Sequence, residues 1–229
     1  LVDSFGRRAA DLRISLTDKC NLRCTYCMPA EGLPWLPKDE LLTTPELLTL
    51  VEAAVTAGIT EVRLTGGEPL VRPDVVEIVS GIAEMEGPQG RPEVSMTTNG
   101  LGLAKIAPAL KEAGLARVNV SLDTLHPERF HEITRRDRFD DVVAGMAAAH
   151  EAGLRPVKVN SVLQRGINDD EVVDLTRWAV ERGYELRFIE QMPLDAQHDW
   201  HRGEMVTAEE IFAALEREFV LTPADETRG

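Results

Sequence analysis

The chain has 229 residues, 43% of them hydrophobic, and a formal net charge of −14. That is ample for one substantial globular domain over residues 1–229, while the acidic balance argues against broad binding to nucleic acid or to an anionic membrane, both of which need a basic surface. No apolar run approaches the roughly 20 residues that cross a bilayer, Leu1–Ala10 has no apolar signal core, and a paired-cysteine framework is absent, so a reducing, cytoplasmic location is expected.

In chain order, the first strand is expected near residues 12–16 and is followed by C-N-L-R-C-T-Y-C, whose Cys20, Cys24 and Cys27 are the chain's three cysteines. The first helix has Thr44 as its expected N-cap and Pro45 at its first position, with Leu47, Leu48, Val51, Ala54 and Val55 on one face. Further strands are expected near 61–65, 93–97, 117–122, 157–162 and 186–190. Four of them are announced by one pattern: A-G-I-T-E-V-R-L from Ala57, A-G-L-A-R-V-N-V from Ala113, A-G-L-R-P-V-K-V from Ala152 and R-G-Y-E-L-R-F-I from Arg182. The glycines Gly58, Gly114, Gly153 and Gly183 suit the left-handed position just past a helix, where Ile59, Leu115, Leu154 and Tyr184 can make the hydrophobic contact that follows. Thr207 and Glu210 form a capping box for the last helix.

Strands alternating with helices at this spacing indicate parallel βαβ units. A doubly wound sheet buries both faces, so its strands tend to be apolar throughout. Here five strands alternate: Val62 and Leu64 against Arg63 and Thr65, Val94 and Met96 against Ser95 and Thr97. Arg13 and Ser15, Asn119 and Ser121, and Lys158 and Asn160 lie on the same polar parity. The expected fold is therefore α/β, a partial TIM-like (βα)6 barrel of parallel strands with a hydrated interior, open at the C-terminal strand ends, where such barrels hold ligands.

Cysteine thiolates hold iron-sulfur clusters, usually four at a time, so three with no fourth would leave one iron of a 4Fe-4S cluster open to chemistry. A structural zinc site is the alternative, but His126, His131, His150, His198 and His201 are distant and lack zinc-ligand spacing. After the second strand, the paired glycines Gly66 and Gly67 can admit a ligand close to the backbone and offer successive N–H groups to a carboxylate, and Glu68 can accept from an amine. Thr97-Thr98-Asn99-Gly100 and Ser121-Leu122-Asp123 follow the third and fourth strands at the same end. Arg13, Arg63 and Lys158 on the inner parity must meet an anion, either protein carboxylates or a polyanionic ligand such as a phosphate ester.

The C-x-x-x-C-x-x-C motif with Tyr26 before its last cysteine, together with G-G-E-P after the second strand, resembles the radical S-adenosylmethionine enzymes. More narrowly, D-L-R-I-S-L-T-D-K-C-N-L-R-C-T-Y-C-M-P, R-L-T-G-G-E-P-L-V-R, T-T-N-G, V-N-V-S-L-D-T-L, V-K-V-N and F-I-E-Q-M-P resemble the GTP 3′,8-cyclases of molybdenum cofactor biosynthesis, from about Leu12 to about Glu210. The resemblance implies a lyase in which Cys20, Cys24 and Cys27 ligate a 4Fe-4S cluster whose open iron binds S-adenosylmethionine. Tyr26, Gly66, Gly67, Glu68, Ser121 and Met192 would serve that cofactor, and Arg13, Arg63, Thr97 and Lys158 would bind GTP. Reductive cleavage would give a 5′-deoxyadenosyl radical that takes the ribose 3′ hydrogen, leading to 3′,8-cyclo-7,8-dihydro-GTP.

The same resemblance implies a second 4Fe-4S cluster on three further cysteines in a C-terminal region. This sequence has no cysteine beyond Cys27 and reads as a C-terminally truncated form carrying the barrel core. An electron donor such as flavodoxin and a homodimer are implied as partners. A peptide-modifying maturase of the same superfamily and a 4Fe-4S electron carrier are the competing functions.

Overall fold

The computed structural model describes residues 2, 4–193 and 200–223. Six strands, β1 (Asp11–Ser15), β2 (Glu61–Thr65), β3 (Glu93–Thr98), β4 (Leu115–Ser121), β5 (Val157–Leu163) and β6 (Glu185–Glu190), form one sheet in sequential order. Each pairs in parallel with the next. Helices α1 (Thr44–Thr56), α2 (Val75–Ala83), α3 (Leu103–Glu112), α4 (Pro127–Thr134), α5 (Phe139–Glu151) and α6 (Val172–Glu181) make the crossovers, and α7 (Ala208–Leu215) follows β6. Parallel neighbours cannot be joined by a tight turn, so every connection carries at least one helix. Among the described residues β1 and β6 are the free edges, which leaves the barrel partial. No helix among them is long and apolar enough to cross a membrane.

All six expected strands are present, with the largest shift at β4, which begins at Leu115. The glycine stops behave as the repeated pattern implies: Gly58, Gly114, Gly153 and Gly183 all have positive φ. The N–H groups of Ile59, Leu154 and Tyr184 reach back to Ala54, Ala149 and Ala179 at 3.1, 3.0 and 2.9 Å. The Thr207–Glu210 capping box is formed. At α1 the cap is Thr43, one residue earlier than expected, because Glu46 lies three residues after Thr43 and completes a capping box with it.

Val62, Leu64, Val94, Met96, Val118, Val120, Val157 and Val159 are all buried on the outer face of the sheet. They pack in one core with Leu47, Val51 and Val55 of α1, Ile78 and Ile82 of α2, Leu103 and Leu110 of α3, and Met146 of α5. The polar residues of the opposite face align by register into rows: Arg13 beside Arg63, then Ser95 and Arg117; and Thr97 beside Asn119 and Lys158. Because the strands are parallel and in register, one alternation written in five strands becomes a polar inner wall, which Glu185 and Arg187 of β6 extend.

Thr44, expected as the cap of α1, has another role: its hydroxyl donates to Asp74. Arg72 donates to Asp74 at 2.9 Å, to the Leu16 carbonyl at 3.0 Å and to the Leu42 carbonyl at 2.9 Å, tying the end of β1 to the starts of α1 and α2. The Arg72 hydrogen bond, with help from Thr44, holds the Asp74 carboxyl down to about 2 from 3.8. A depressed folded-state value gives stability that is present above 3.8 and lost as pH falls through about 2. Asp74→Asn is therefore expected to cost about 1 kcal/mol at pH 7, the side chain being partly exposed, and the difference should vanish near pH 2 in denaturant titrations.

Candidate functional site

Three loops at the C-terminal strand ends are tied to one another, and the cysteines sit where they meet. In the loop after β1, the N–H groups of Cys27 and Met28 both donate to the Cys24 carbonyl, at 2.9 and 3.0 Å, winding the second half of the motif into a tight turn. The loop docks on the end of α4, where Arg23 and Thr25 donate from their backbone to Thr134 and Ile133. Arg135, just past α4 with φ of 56°, donates to the carbonyls of Arg23 at 2.9 Å and Met28 at 3.1 Å.

Gly66 and Gly67 seat the second loop against the first. A Cβ on Gly66 would lie 2.5 Å from the Thr17 carbonyl oxygen, and one on Gly67 would overlap the carbonyl oxygens of Asp18 and Lys19. The N–H groups of Gly67 and Glu68 donate to Thr17 at 2.7 Å and Lys19 at 2.8 Å. The Gly67 and Glu68 N–H groups are thus spent on the cysteine loop rather than offered to a ligand carboxylate as expected of Gly67, and glycine is required so that the two backbones can touch.

Glu68 is corrected in the same way. It is fully buried, and its carboxylate accepts from the Asn99 N–H at 2.6 Å, the Thr98 hydroxyl at 2.7 Å and the Leu70 N–H at 2.9 Å. It therefore braces the second loop against the third rather than presenting an acceptor to an amine. Burial raises its pKa and the three donors oppose that shift. Asn99 closes the circle by donating to Asn21 at 2.7 Å and to the Cys20 Sγ at 3.8 Å.

On the other side, the Tyr26 hydroxyl donates to Asp123 at 2.8 Å, and the second oxygen of that carboxylate accepts from the Val162 N–H at 2.8 Å. Asn168 donates to the Asp123 carbonyl at 2.6 Å. The cysteine loop is thereby registered to the ends of β4 and β5. Burial raises the Asp123 carboxyl to about 6 in spite of its two donors.

Cys20, Cys24, Tyr26, Cys27, Gly66, Gly67, Thr97 and Ser121 line one cavity of about 230 Å³, with Thr65 and Asp123. Cys27 is exposed and the other two cysteines are half-buried. Burial pushes all three thiols upward, and the charge of Asp123 adds to this at Cys24. Such thiols ionise when a cation is there to take the thiolate, which the irons of a cluster provide. Among the described residues no three His, Cys, Asp or Glu side chains converge on a point that would hold a single metal ion. Three thiols lining one cavity are the kind of donor set that iron-sulfur clusters use.

Below the cavity the inner wall is cationic. Arg63 lies near Arg13, Arg117 and Arg187, and burial together with the first two charges lowers its pKa. Arg117 pairs with Glu61 at 3.4 Å and with Glu93, while Glu185 accepts from Lys158 at 3.1 Å and from Arg187 at 2.9 Å. Part of the cationic charge is thus met by carboxylates at the strand starts, one of the two possibilities the sequence left open. Arg13 and Arg63 belong to this deeper layer and do not line the cysteine cavity, nor does Lys158. Met192 sits just past β6, 55% exposed and away from the cavity lining. His198 lies outside the described residues.

Sequence reasoning missed Arg117 and Arg187 although both stand on the inner parity inside the repeated pattern, which was the available signal. Nothing in the sequence marks Arg135, whose role depends on the helix end that positions it.

The sequence profile of the Radical SAM superfamily matches residues 14–179. The chain is 62% identical over 231 residues to a protein of Streptomyces coelicolor named GTP 3′,8-cyclase, covering 100% of this chain and 67% of that protein. It is 59% identical over 229 residues to one of Paenarthrobacter nicotinovorans with the same name, covering 100% and 64%. The chain thus spans about two thirds of the length of these curated relatives. Its fold is similar to those of HydG, a hydrogenase maturase (TM-score 0.68, 15% identity, 90% of this chain and 48% of that one), and methylornithine synthase (TM-score 0.67, 17% identity, 92% and 62%). With a superfamily profile matched over well more than half of its residues, a parallel partial barrel and three cysteines in the loop after β1, this chain belongs to the radical SAM superfamily.

Proposed function

We propose that the chain is the radical-generating core of a GTP 3′,8-cyclase. The observation that carries this reading is the stacking of two layers inside one barrel: a cavity lined by Cys20, Cys24 and Cys27 at the strand ends, and a cationic wall of Arg13, Arg63 and Lys158 beneath it. A 4Fe-4S cluster held by the three thiolates would supply the electron that splits S-adenosylmethionine into methionine and a 5′-deoxyadenosyl radical.

Tyr26, Gly67 and Ser121 line the cavity wall against which S-adenosylmethionine would rest, and Met192 would approach from beyond β6. Arg13 and Arg63, one row further from the cavity, and Lys158, in the row shared with Thr97 and Asn119, would meet the triphosphate, with Thr97 at the cavity wall. That order along the barrel presents the ribose beneath the cluster, where loss of its 3′ hydrogen leads to attack on guanine C8. An external one-electron donor of the flavodoxin kind, a homodimer and a second cluster in the part of the relatives beyond this chain complete the proposal. GTP carrying deuterium at the ribose 3′ carbon tests it, because 5′-deoxyadenosine should then acquire the label. Unlabelled 5′-deoxyadenosine would oppose the cyclase reading.

A further inference from the structure

We infer that Asn119 reads the 2′-hydroxyl of the substrate's ribose, and so makes the site selective for ribonucleotides over deoxyribonucleotides; the inference rests on the GTP reading above. Asn119 lies on the inner face of β4, in register between Thr97 of β3 and Lys158 of β5. It is only 2% exposed. Its Nδ2 donates to the Thr97 hydroxyl at 3.3 Å, while its Oδ1 is buried and finds no hydrogen-bond partner among the described residues.

Buried acceptors are almost always satisfied, so the Asn119 Oδ1 calls for a donor that the described residues do not supply. The position of Asn119 says which donor. Two residues further along the same face of β4, Ser121 lines the cysteine cavity; two residues back, Arg117 belongs to the cationic wall. A nucleoside triphosphate that puts its reacting sugar carbon toward the cavity and its phosphates toward the cations has its ribose at the level between. The hydroxyl next to the reacting 3′ carbon is the group available there, and Thr97 anchors one terminal atom of the amide, leaving the other, Oδ1, to meet it.

The test is equilibrium binding of GTP and of 2′-deoxyGTP to the protein and to Asn119→Ala, with melting curves to check folding. One lost hydrogen bond to a buried acceptor corresponds to about tenfold in affinity. The wild type should prefer GTP over 2′-deoxyGTP by about that factor, and Asn119→Ala should bind GTP about tenfold more weakly with the preference erased. A wild type that binds both nucleotides equally overturns the inference without reference to any variant, as does an Asn119→Ala protein that keeps the preference. A wild type that binds no GTP brings down the substrate reading, and this inference with it; that result differs from GTP bound without discrimination, which removes only the role of Asn119.

Discussion

Replacing Cys24 with alanine is expected to take the iron bound after anaerobic reconstitution from about four per chain to background, and 5′-deoxyadenosine formation with it. The argument rests on position as well as on residue type. Cys24 is the most deeply set of the three thiols, its carbonyl closes the turn that presents Cys27, and burial beside Asp123 keeps the thiol protonated until a metal arrives. If the three cysteines are the cluster's protein ligands, as proposed, removing one would leave two irons without protein ligands, which a cluster in an open cavity would not survive. The folded barrel should tolerate the change, because Cys24 is only partly buried and packs at the margin of the core rather than within it. Iron content and the melting temperature measured on one sample separate the two effects. Full iron content in Cys24→Ala would mean that the ligand set is wrong.

Gly67→Ala is the second large effect, and its cause is steric. The added methyl group would overlap the Asp18 and Lys19 carbonyls, which are backbone and cannot rotate away. Relief requires the cysteine loop to move off the second loop, breaking the Gly67–Thr17 and Glu68–Lys19 hydrogen bonds. Overpacking of this kind costs about 2 kcal/mol, which corresponds to a fall of about 4–8 °C in melting temperature for a chain of this size. The displaced loop should also hold less iron. Gly203→Ala is the control, since a Cβ there meets nothing within 4 Å. It should change stability by less than about 0.5 kcal/mol. Equal behaviour of the two variants would remove the loop-packing role assigned to the paired glycines.

The contrast between Gly67 and Glu68 as read and as found explains what a sequence can disclose. Strand parity is local: Val62 and Leu64 on one side and Arg63 and Thr65 on the other are visible within five residues, and the parallel register then aligns the rows without further information. The helix-ending glycines are local in the same sense. What the G-G-E-P segment contacts is not local. Gly67 meets Thr17 across about fifty residues of chain and Glu68 meets Asn99 across 31, so the same residues read equally well as ligand contacts until the loops are seen together.

Tyr26 and Asp123 pair across 97 residues and Arg135 reaches Arg23 across 112, which is why neither tie was legible. The shift of the α1 cap from Thr44 to Thr43 is different, because the capping box with Glu46 was there to be read. The cysteine loop was legible because its chemistry depends on three residues within eight positions. The cationic wall was legible only in part, since Arg117 and Arg187 stand on the right parity but their neutralising partners Glu61, Glu93 and Glu185 come from the starts of other strands or from two residues away.

The most direct measurement is the isotope content of 5′-deoxyadenosine formed by the reconstituted protein from S-adenosylmethionine, a strong reductant and GTP deuterated at the ribose 3′ carbon. The account predicts that 5′-deoxyadenosine forms, that GTP stimulates it, and that one deuterium is carried into its 5′ position. Formation of 5′-deoxyadenosine that is indifferent to GTP and free of label, from protein holding about four irons per chain, would contradict the account.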